Sequence, residues 1–328
     1  MSPQIVLLVN PAARGGRTLR LLEPVARRLR AGGAELSVIV GSDAADALER
    51  ACTAVAERPD ALVAFGGDGL VHLAVQAVAG TDVPLGIIPA GTGNDIAAAL
   101  GLPCKDPVAA ARVVLRMKTR LVDAARVRAG RAEELFAGVV CCGFDSRVNE
   151  RANRLTWPGG PGRYVRAVAG ELRSFRPVPF RLTLDGEEVI EREAMLVAVA
   201  NTRSYGGGMR VCPDARPDDG LLDVLVVEAI SKGEFLRVFP SVYRGTHVGH
   251  PAVSIRRARG VRLETIGDAA GDPAGGPVGG PADGSVGGPM GGPVGGPVDG
   301  MVAYADGERI GPVPLECEVR PGALRVIA

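Results

Sequence analysis

Three short glycine-rich turns carry the residue types that grip phosphate. The clearest is Gly66-Gly67-Asp68-Gly69, entered from the apolar run Ala61–Phe65 and left by Leu70–Ala79, whose spacing predicts a helix. Glycines let main-chain N–H groups approach an anion, and the N-terminal end of the helix turns its dipole toward the same place. The second turn, Pro89-Ala90-Gly91-Thr92-Gly93-Asn94-Asp95, follows the run Pro84–Ile88 and precedes a helix reaching Leu100. The third, Asn10-Pro11-Ala12-Ala13-Arg14-Gly15-Gly16, follows Ile5–Val9 and offers Asn10 as a hydrogen-bonding group and Arg14 as a phosphate fork. Two such turns on adjacent strands enclose one polyphosphate. Neither a G-x-x-x-x-G-K-[ST] loop nor a complete G-x-G-x-x-G is present, so the pattern points to nucleotide phosphates held without either standard loop. By itself GGDG also reads as a tight strand-to-helix turn N-capped by Asp68.

Acidic residues supply the other half of the chemistry. A neutral hydroxyl attacking a nucleotide phosphate needs charge neutralisation, in-line positioning and a carboxylate to take its proton. Asp306-Gly307 reads by local pattern first as a hairpin turn and only second as a catalytic site. Asp218-Asp219-Gly220, before an apolar run, reads either as a turn or as part of a cation site. His247 and His250, in a loop-like H-V-G-H, read as structural. Hard oxygen ligands and scarce histidine favour Mg²⁺ over zinc.

The elements that must position these residues divide the chain in two. Up to about Leu121, buried runs without polar alternation (Ile5–Val9, Leu36–Val40, Ala61–Phe65, Leu85–Ile88) alternate with helix-length segments (Thr18–Arg30, Asp43–Glu57, Leu70–Ala79). That predicts an α/β N-terminal domain, 1–121, with a parallel sheet covered on both faces. From Val122 on, strand-length runs such as Val122–Arg128, Leu135–Cys142, Phe180–Leu184, Met195–Ala200 and Leu222–Val227 predict a mostly β, sandwich-like C-terminal domain, 122–328. Between them Phe144–Arg176 reads as helical and holds Arg147, Arg151, Arg154, Arg163, Arg166, Arg173 and Arg176, a solvated face or an attraction to anionic headgroups. Trp157 lies in the same stretch as a weak interfacial anchor. Residues 266–300 hold 14 glycines and 6 prolines, with no aromatic residue and no Lys or Arg. So few side chains cannot offset the ordering entropy, and the stretch reads as a flexible surface insertion.

Composition closes off several classes. With 46% hydrophobic and 23% charged residues the chain is neither disordered nor fibrous. Lys+Arg of 38 against Asp+Glu of 37 gives no field to attract nucleic acid. No apolar run approaches the roughly 20 residues of a membrane span, and the N-terminus reads as a first strand rather than a signal peptide, so a cytoplasmic location is expected. Six scattered cysteines without a C-x-x-C pair suggest reduced thiols.

VNPAARGGR, FGGDGLVH and IPAGTGNDIAAALGLP, in this order, resemble the catalytic domain of the bacterial diacylglycerol kinase family, which includes sphingosine and ceramide kinases. The similarity continues through CGFDSRVNE, VANTRSYGGGMRVCPDARPDDGLLDV, GTHVGHPAV and YADGERIGPVPLECEVRPGALRV, so only 266–300 lies outside it. The resemblance implies an ATP-dependent phosphotransferase acting on the hydroxyl of diacylglycerol or a related membrane lipid, peripherally associated with the membrane, and it is compatible with a homodimer. It implies ATP contacts from Asn10, Pro11, Arg14, Ser42, Gly66, Gly67, Asp68, Gly69 and Thr92. Asp68 and Asp95 would lie near the catalytic Mg²⁺, and Asp219 with carbonyls of Arg216 and Leu221 would hold a second one. By the same resemblance Asp306 and Glu308 would supply the base, Glu308 as proton acceptor and Asp306 as its metal-proximal partner. The resemblance also implies that the last strand, 322–328, packs back on the first domain. Leu70 stands where the family usually has Thr and removes a hydroxyl from the phosphate turn. The competing readings are a soluble NAD kinase-like enzyme, which shares GGDG, and a non-catalytic ATP- or lipid-binding regulator.

Overall fold

The computed structural model describes residues 2–10, 17–155, 161–266 and 300–328. The expectations for Pro11, Arg14, Trp157 and all but the ends of 266–300 lie outside the described residues.

The first half alternates strand and helix as its periodicity requires: β1 (Gln4–Val9), α1 (Arg17–Ala31), β2 (Glu35–Val40), α2 (Ala44–Ala56), β3 (Ala61–Gly66), α3 (Asp68–Val78), β4 (Leu85–Pro89), α4 (Asp95–Ala99) and α5 (Pro107–Val114). β2, β1, β3 and β4 pair in parallel in that order. All six residues of β3 and all five of β4 are buried, because helices cover both faces of the sheet. One apolar cluster joins α2, α3 and α4 to one face; another joins α1 and α5 to the other. Helix α5 was not anticipated from the sequence; its start is set by Asp106, whose carboxylate accepts from Val108 and Ala109 N–H, with Pro107 behind it.

The second half is dominated by strands: β5 (Thr119–Ala129), β6 (Ala132–Phe136), β7 (Val139–Gly143), then α6 (Phe144–Arg154) and α7 (Pro161–Ser174), β8 (Val178–Leu184), β9 (Glu188–Ala200), β10 (Leu222–Glu228), α8 (Lys232–Val238), β11 (Val253–Ala258), β12 (Gly260–Thr265), β13 (Val302–Ala305), β14 (Glu308–Pro312) and β15 (Leu315–Ile327). The chain is thus an α/β domain with a parallel sheet followed by a mostly β, sandwich-like domain. One continuous network of paired strands links them through β15. Its first part pairs with β12 and β5, the register breaks between Arg320 and Leu324, and the end pairs with β5 and places Val326 beside Leu85 of β4. Leu324, Val326 and Ile327 are buried in the cores of the first half.

The run Leu135–Cys142 is not one strand, as its composition suggested, but β6 and β7 separated at Ala137-Gly138. The amides there leave the ladder to bind the Asp306 carboxylate, a partner 169 residues away that no local pattern announces. The 266–300 segment joins β12 to β13. All six cysteines are free, four of them buried. His247 is buried with Nε2 at 3.0 Å from the Val211 carbonyl, a structural role.

Asp145, in the first turn of α6, is buried with no countercharge among the described residues, and burial pushes its carboxyl up to about 7. The folded state therefore keeps a proton that the unfolded chain releases near pH 4, and stability falls as pH rises from about 4 to about 7. Asp145→Asn is expected to stabilise the protein at pH 8, by on the order of 2 kcal/mol, and to change little at pH 4.5. Thermal melts of both proteins at the two pH values check this; an equal shift at both contradicts it.

Candidate active site

Parallel strands all end on one edge of their sheet, so β1, β2, β3 and β4 deliver Asn10, Ser42, the GGDG turn and the Gly91–Asn94 turn to the same side. The last two turns touch. A Cβ on Gly67 would stand 3.1 Å from the Gly91 Cα, and one on Gly91 would collide with Gly67. The Gly66 carbonyl accepts Ala90 N–H at 2.7 Å. Only glycine permits this back-to-back contact. Asn94, in the left-handed region at φ 62°, closes the second turn by accepting Gly91 N–H at 2.8 Å and donating to the Gly91 carbonyl at 2.9 Å. Thr92 stands exposed at its rim. Ser42 is exposed too, and its amide is bound by Asp46 at 2.7 Å.

Asp68 is not the N-cap of α3. That position is Gly67, which has no side chain to cap the helix and leaves the N-terminal end open to an anion. The Asp68 carboxylate instead accepts Ile96 N–H at 3.1 Å through Oδ1, while Oδ2 would lie 2.9 Å from a Cβ on Gly93. Burial raises the Asp68 carboxyl above its ordinary range, and the neighbouring charges of Asp95 and Asp306 add to the rise against the Ile96 bond. Asp95 reaches across to the second domain, accepting Gly207 N–H and Gly208 N–H at 2.7 Å each. Leu70 faces the other way. It is buried in the core against Gly66, so the missing hydroxyl removes no group from this side of the turn.

The acidic hairpin meets these turns from the second domain. β13 and β14 are joined at Asp306 and Gly307, both in the left-handed region (φ 53° and 93°), as a two-residue hairpin requires. Asp306 is turned inward: its carboxylate accepts Ala137, Gly138 and Val139 N–H at 2.9–3.1 Å and lies 3.1 Å from His72 Nδ1. Glu308 is exposed and its Oε1 stands over Gly69, 2.5 Å from where a Cβ there would be. The hairpin turn therefore sets the two acids in different surroundings, Asp306 inward and Glu308 outward.

The Asp219 loop lies apart from this edge. Asp219 pairs with Arg257 and accepts Leu221 N–H at 3.2 Å; Arg216 is exposed. Behind it Asp223 is buried with Oδ2 unpartnered, and burial pushes its carboxyl up to about 6, the charges of Asp219 and Asp214 adding to the rise while Arg257 opposes it. Asp123 braces the loop by accepting Gly220 N–H and Gly322 N–H at 2.7 Å. Among the described residues no three His, Cys, Asp or Glu side chains converge as a ready metal cage.

Sequence reading missed His72, the Gly207 and Gly208 amides, and Asp123. His72 and Asp123 left a faint trace, each a polar residue inside an apolar stretch; the two glycine amides left none.

Adjacent glycine turns thus face a carboxylate carried on a hairpin of the second domain, an arrangement with the parts that phosphoryl transfer requires. The diacylglycerol kinase catalytic domain family matches residues 4–127, and the YegS C-terminal NAD kinase beta sandwich-like domain family matches residues 138–294. The chain is 40% identical over 325 residues to a diacylglycerol kinase of Mycobacterium tuberculosis, covering 99% of this chain and 94% of that one. It is 29% identical over 268 residues to a diacylglycerol kinase of Bacillus subtilis, covering 78% of this chain and 84% of that one. A solved structure of a putative diacylglycerol kinase from Bacillus anthracis shares the fold with a TM-score of 0.73 at 23% identity, covering 99% and 95% of the two chains. The chain belongs to the diacylglycerol kinase family, and it is a kinase.

Proposed function

We propose that this kinase transfers the γ-phosphate of ATP to the hydroxyl of a diacylglycerol-like membrane lipid. The observation that carries the reading is Glu308 Oε1 over Gly69, beside the touching Gly67 and Gly91 turns. Phosphates bound at the α3 N-terminus lie within reach of a base that is exposed and held by a different domain. The lipid hydroxyl enters between the domains, gives its proton to Glu308, and its oxygen bonds to the γ-phosphorus as the bond to the β-phosphate oxygen breaks, releasing ADP. Half-buried Asn10 and exposed Ser42 and Thr92 line the nucleotide side. Mg²⁺ fits at Asp68, where burial and the charges of Asp95 and Asp306 leave the carboxylate in need of a cation, and when bound it would supply neutralisation of the phosphate charge. Asp95 frames that position from its Gly207 and Gly208 anchors. A second Mg²⁺ fits Asp219 with the Arg216 and Leu221 carbonyls, because the buried Asp223 Oδ2 behind them has no hydrogen-bond partner and the single Arg257 is shared between Asp219 and Asp223.

The lipid side of the reading is supported by a face of α8 and the two 3-10 turns after it, Phe239–Arg244 and Thr246–Gly249. Leu236, Tyr243 and Val248 are 53%, 50% and 41% exposed there, flanked by Lys232, Arg237 and Arg244. Apolar residues beside three cations, with the α8 acid Glu234 paired to His250, suit peripheral contact with an anionic membrane. No helix among the described residues is long and apolar enough to cross one.

Incubation with γ-labelled ATP, Mg²⁺ and vesicles carrying diacylglycerol, ceramide or sphingosine, beside an NAD arm, tests the reading. Label is expected in one lipid and none in NAD, and EDTA is expected to abolish it. Label in NAD alone, or ATP binding with no transfer to any lipid, contradicts it.

A further inference from the structure

Helix α3 begins at the phosphate turn and carries two polar side chains one helical turn apart, His72 and Gln76, toward the second domain. His72 is 5% exposed, yet both ring nitrogens meet carboxylates: Nδ1 lies 3.1 Å from Asp306 Oδ2 and Nε2 3.0 Å from Glu134 Oε2. Gln76 extends the same seam along β6. Its Nε2 donates to the Leu135 carbonyl at 2.6 Å, and its Oε1 accepts Leu135 N–H at 2.9 Å. The helix of the first domain is thus stitched to β6 and to the β13–β14 hairpin of the second.

Ionised carboxylates only accept hydrogen bonds, so a ring that bridges two of them donates from both edges. An imidazole does this at a fixed span, whereas the flexible stem of lysine does not. Burial alone would depress the ring's basicity; the bonds to Asp306 and Glu134 outweigh it and hold His72 protonated, pushed up to about 10.

We propose that His72 is a positioning residue for phosphotransfer: by bridging Asp306 and Glu134 it locks the acidic hairpin to the helix that starts at GGDG, and so holds Glu308 over Gly69. The inference rests on the kinase reading above with Glu308 as the base. His72 touches neither phosphate nor hydroxyl; it acts through where Glu308 stands. Displacing a reacting group by about 1 Å costs on the order of 100-fold in rate.

The test compares wild type, His72→Ala, His72→Gln, Glu308→Gln and the double variant His72→Ala/Glu308→Gln. His72→Ala is expected to lower kcat about 100-fold with ATP affinity and binding stoichiometry unchanged. His72→Gln, which keeps a donor toward Asp306, is expected to recover at least about tenfold of that loss. In the Glu308→Gln background, removal of His72 is expected to change the rate less than about twofold, since a residue acting through Glu308 has nothing left to position. Full kcat in His72→Ala, or the same fold loss in both backgrounds, overturns the proposal. Hydrogen exchange supplies a second measurement that needs no turnover: the Ala137, Gly138 and Val139 amides are expected to exchange at least about tenfold faster in His72→Ala, with β3 unchanged. Unchanged protection there overturns the lock. A wild type that phosphorylates no lipid fails the functional reading instead, and the exchange result still decides whether His72 holds the hairpin.

Discussion

Glu308→Gln is expected to lower kcat by about three orders of magnitude while ATP affinity stays within about twofold of wild type. General-base catalysis is worth roughly 10²–10⁴ in rate, and the amide of Gln keeps the shape but cannot take a proton. Glu308 is exposed, it makes no hydrogen bond among the described residues that stabilises the hairpin, and its oxygen stands over Gly69 at the start of α3. The loss therefore belongs to the chemical step. Single-turnover transfer from labelled ATP to the phosphorylated lipid, with ATP binding measured separately, checks it. A Glu308→Gln protein with full turnover would put the base elsewhere, and parallel losses in binding and turnover would make Glu308 a nucleotide contact instead.

Asp306→Asn produces a loss of a different kind. Its carboxylate is 1% exposed and is the common acceptor for Ala137, Gly138 and Val139 N–H and the partner of His72. Asparagine has one acceptor oxygen in place of two and brings an N–H₂ against four donors. Breaking a buried charge pair of this sort costs about 3–5 kcal/mol, which for a chain of this size lowers the melting temperature by on the order of 10 °C. Turnover falls with it, because the hairpin that carries Glu308 loses its anchor. Melting curves separate the two acids: Glu308→Gln leaves the midpoint in place, and Asp306→Asn moves it. An unshifted midpoint for Asp306→Asn would show that the four donors find other partners.

These expectations differ from what the DGE triplet alone supports. In sequence, Asp306 and Glu308 are two carboxylates two residues apart, both open to the role of base. In the fold they alternate across a hairpin, so one faces the interior and the other the cleft. The same step from pattern to place recurs at Leu70. Beside GGDG it reads as a lost hydroxyl at the phosphates, yet a helix that starts at Asp68 turns its third residue back onto the sheet, where Leu is the better filler.

What the sequence determined by itself is the local part. Apolar runs of strand length separated by helix-length segments specify a parallel sheet, because the period of apolar residues reflects which faces are buried. Glycine-rich turns at the ends of those runs land on one edge because parallel strands all point the same way. Three contacts belonged to the tertiary structure alone: the meeting of Gly67 with Gly91, the reach of Asp306 to amides 169 residues away, and the His72 bridge between the domains. Each depends on side chains or amides distant in the chain, and a position's own neighbours carry no record of a partner that only folding brings near.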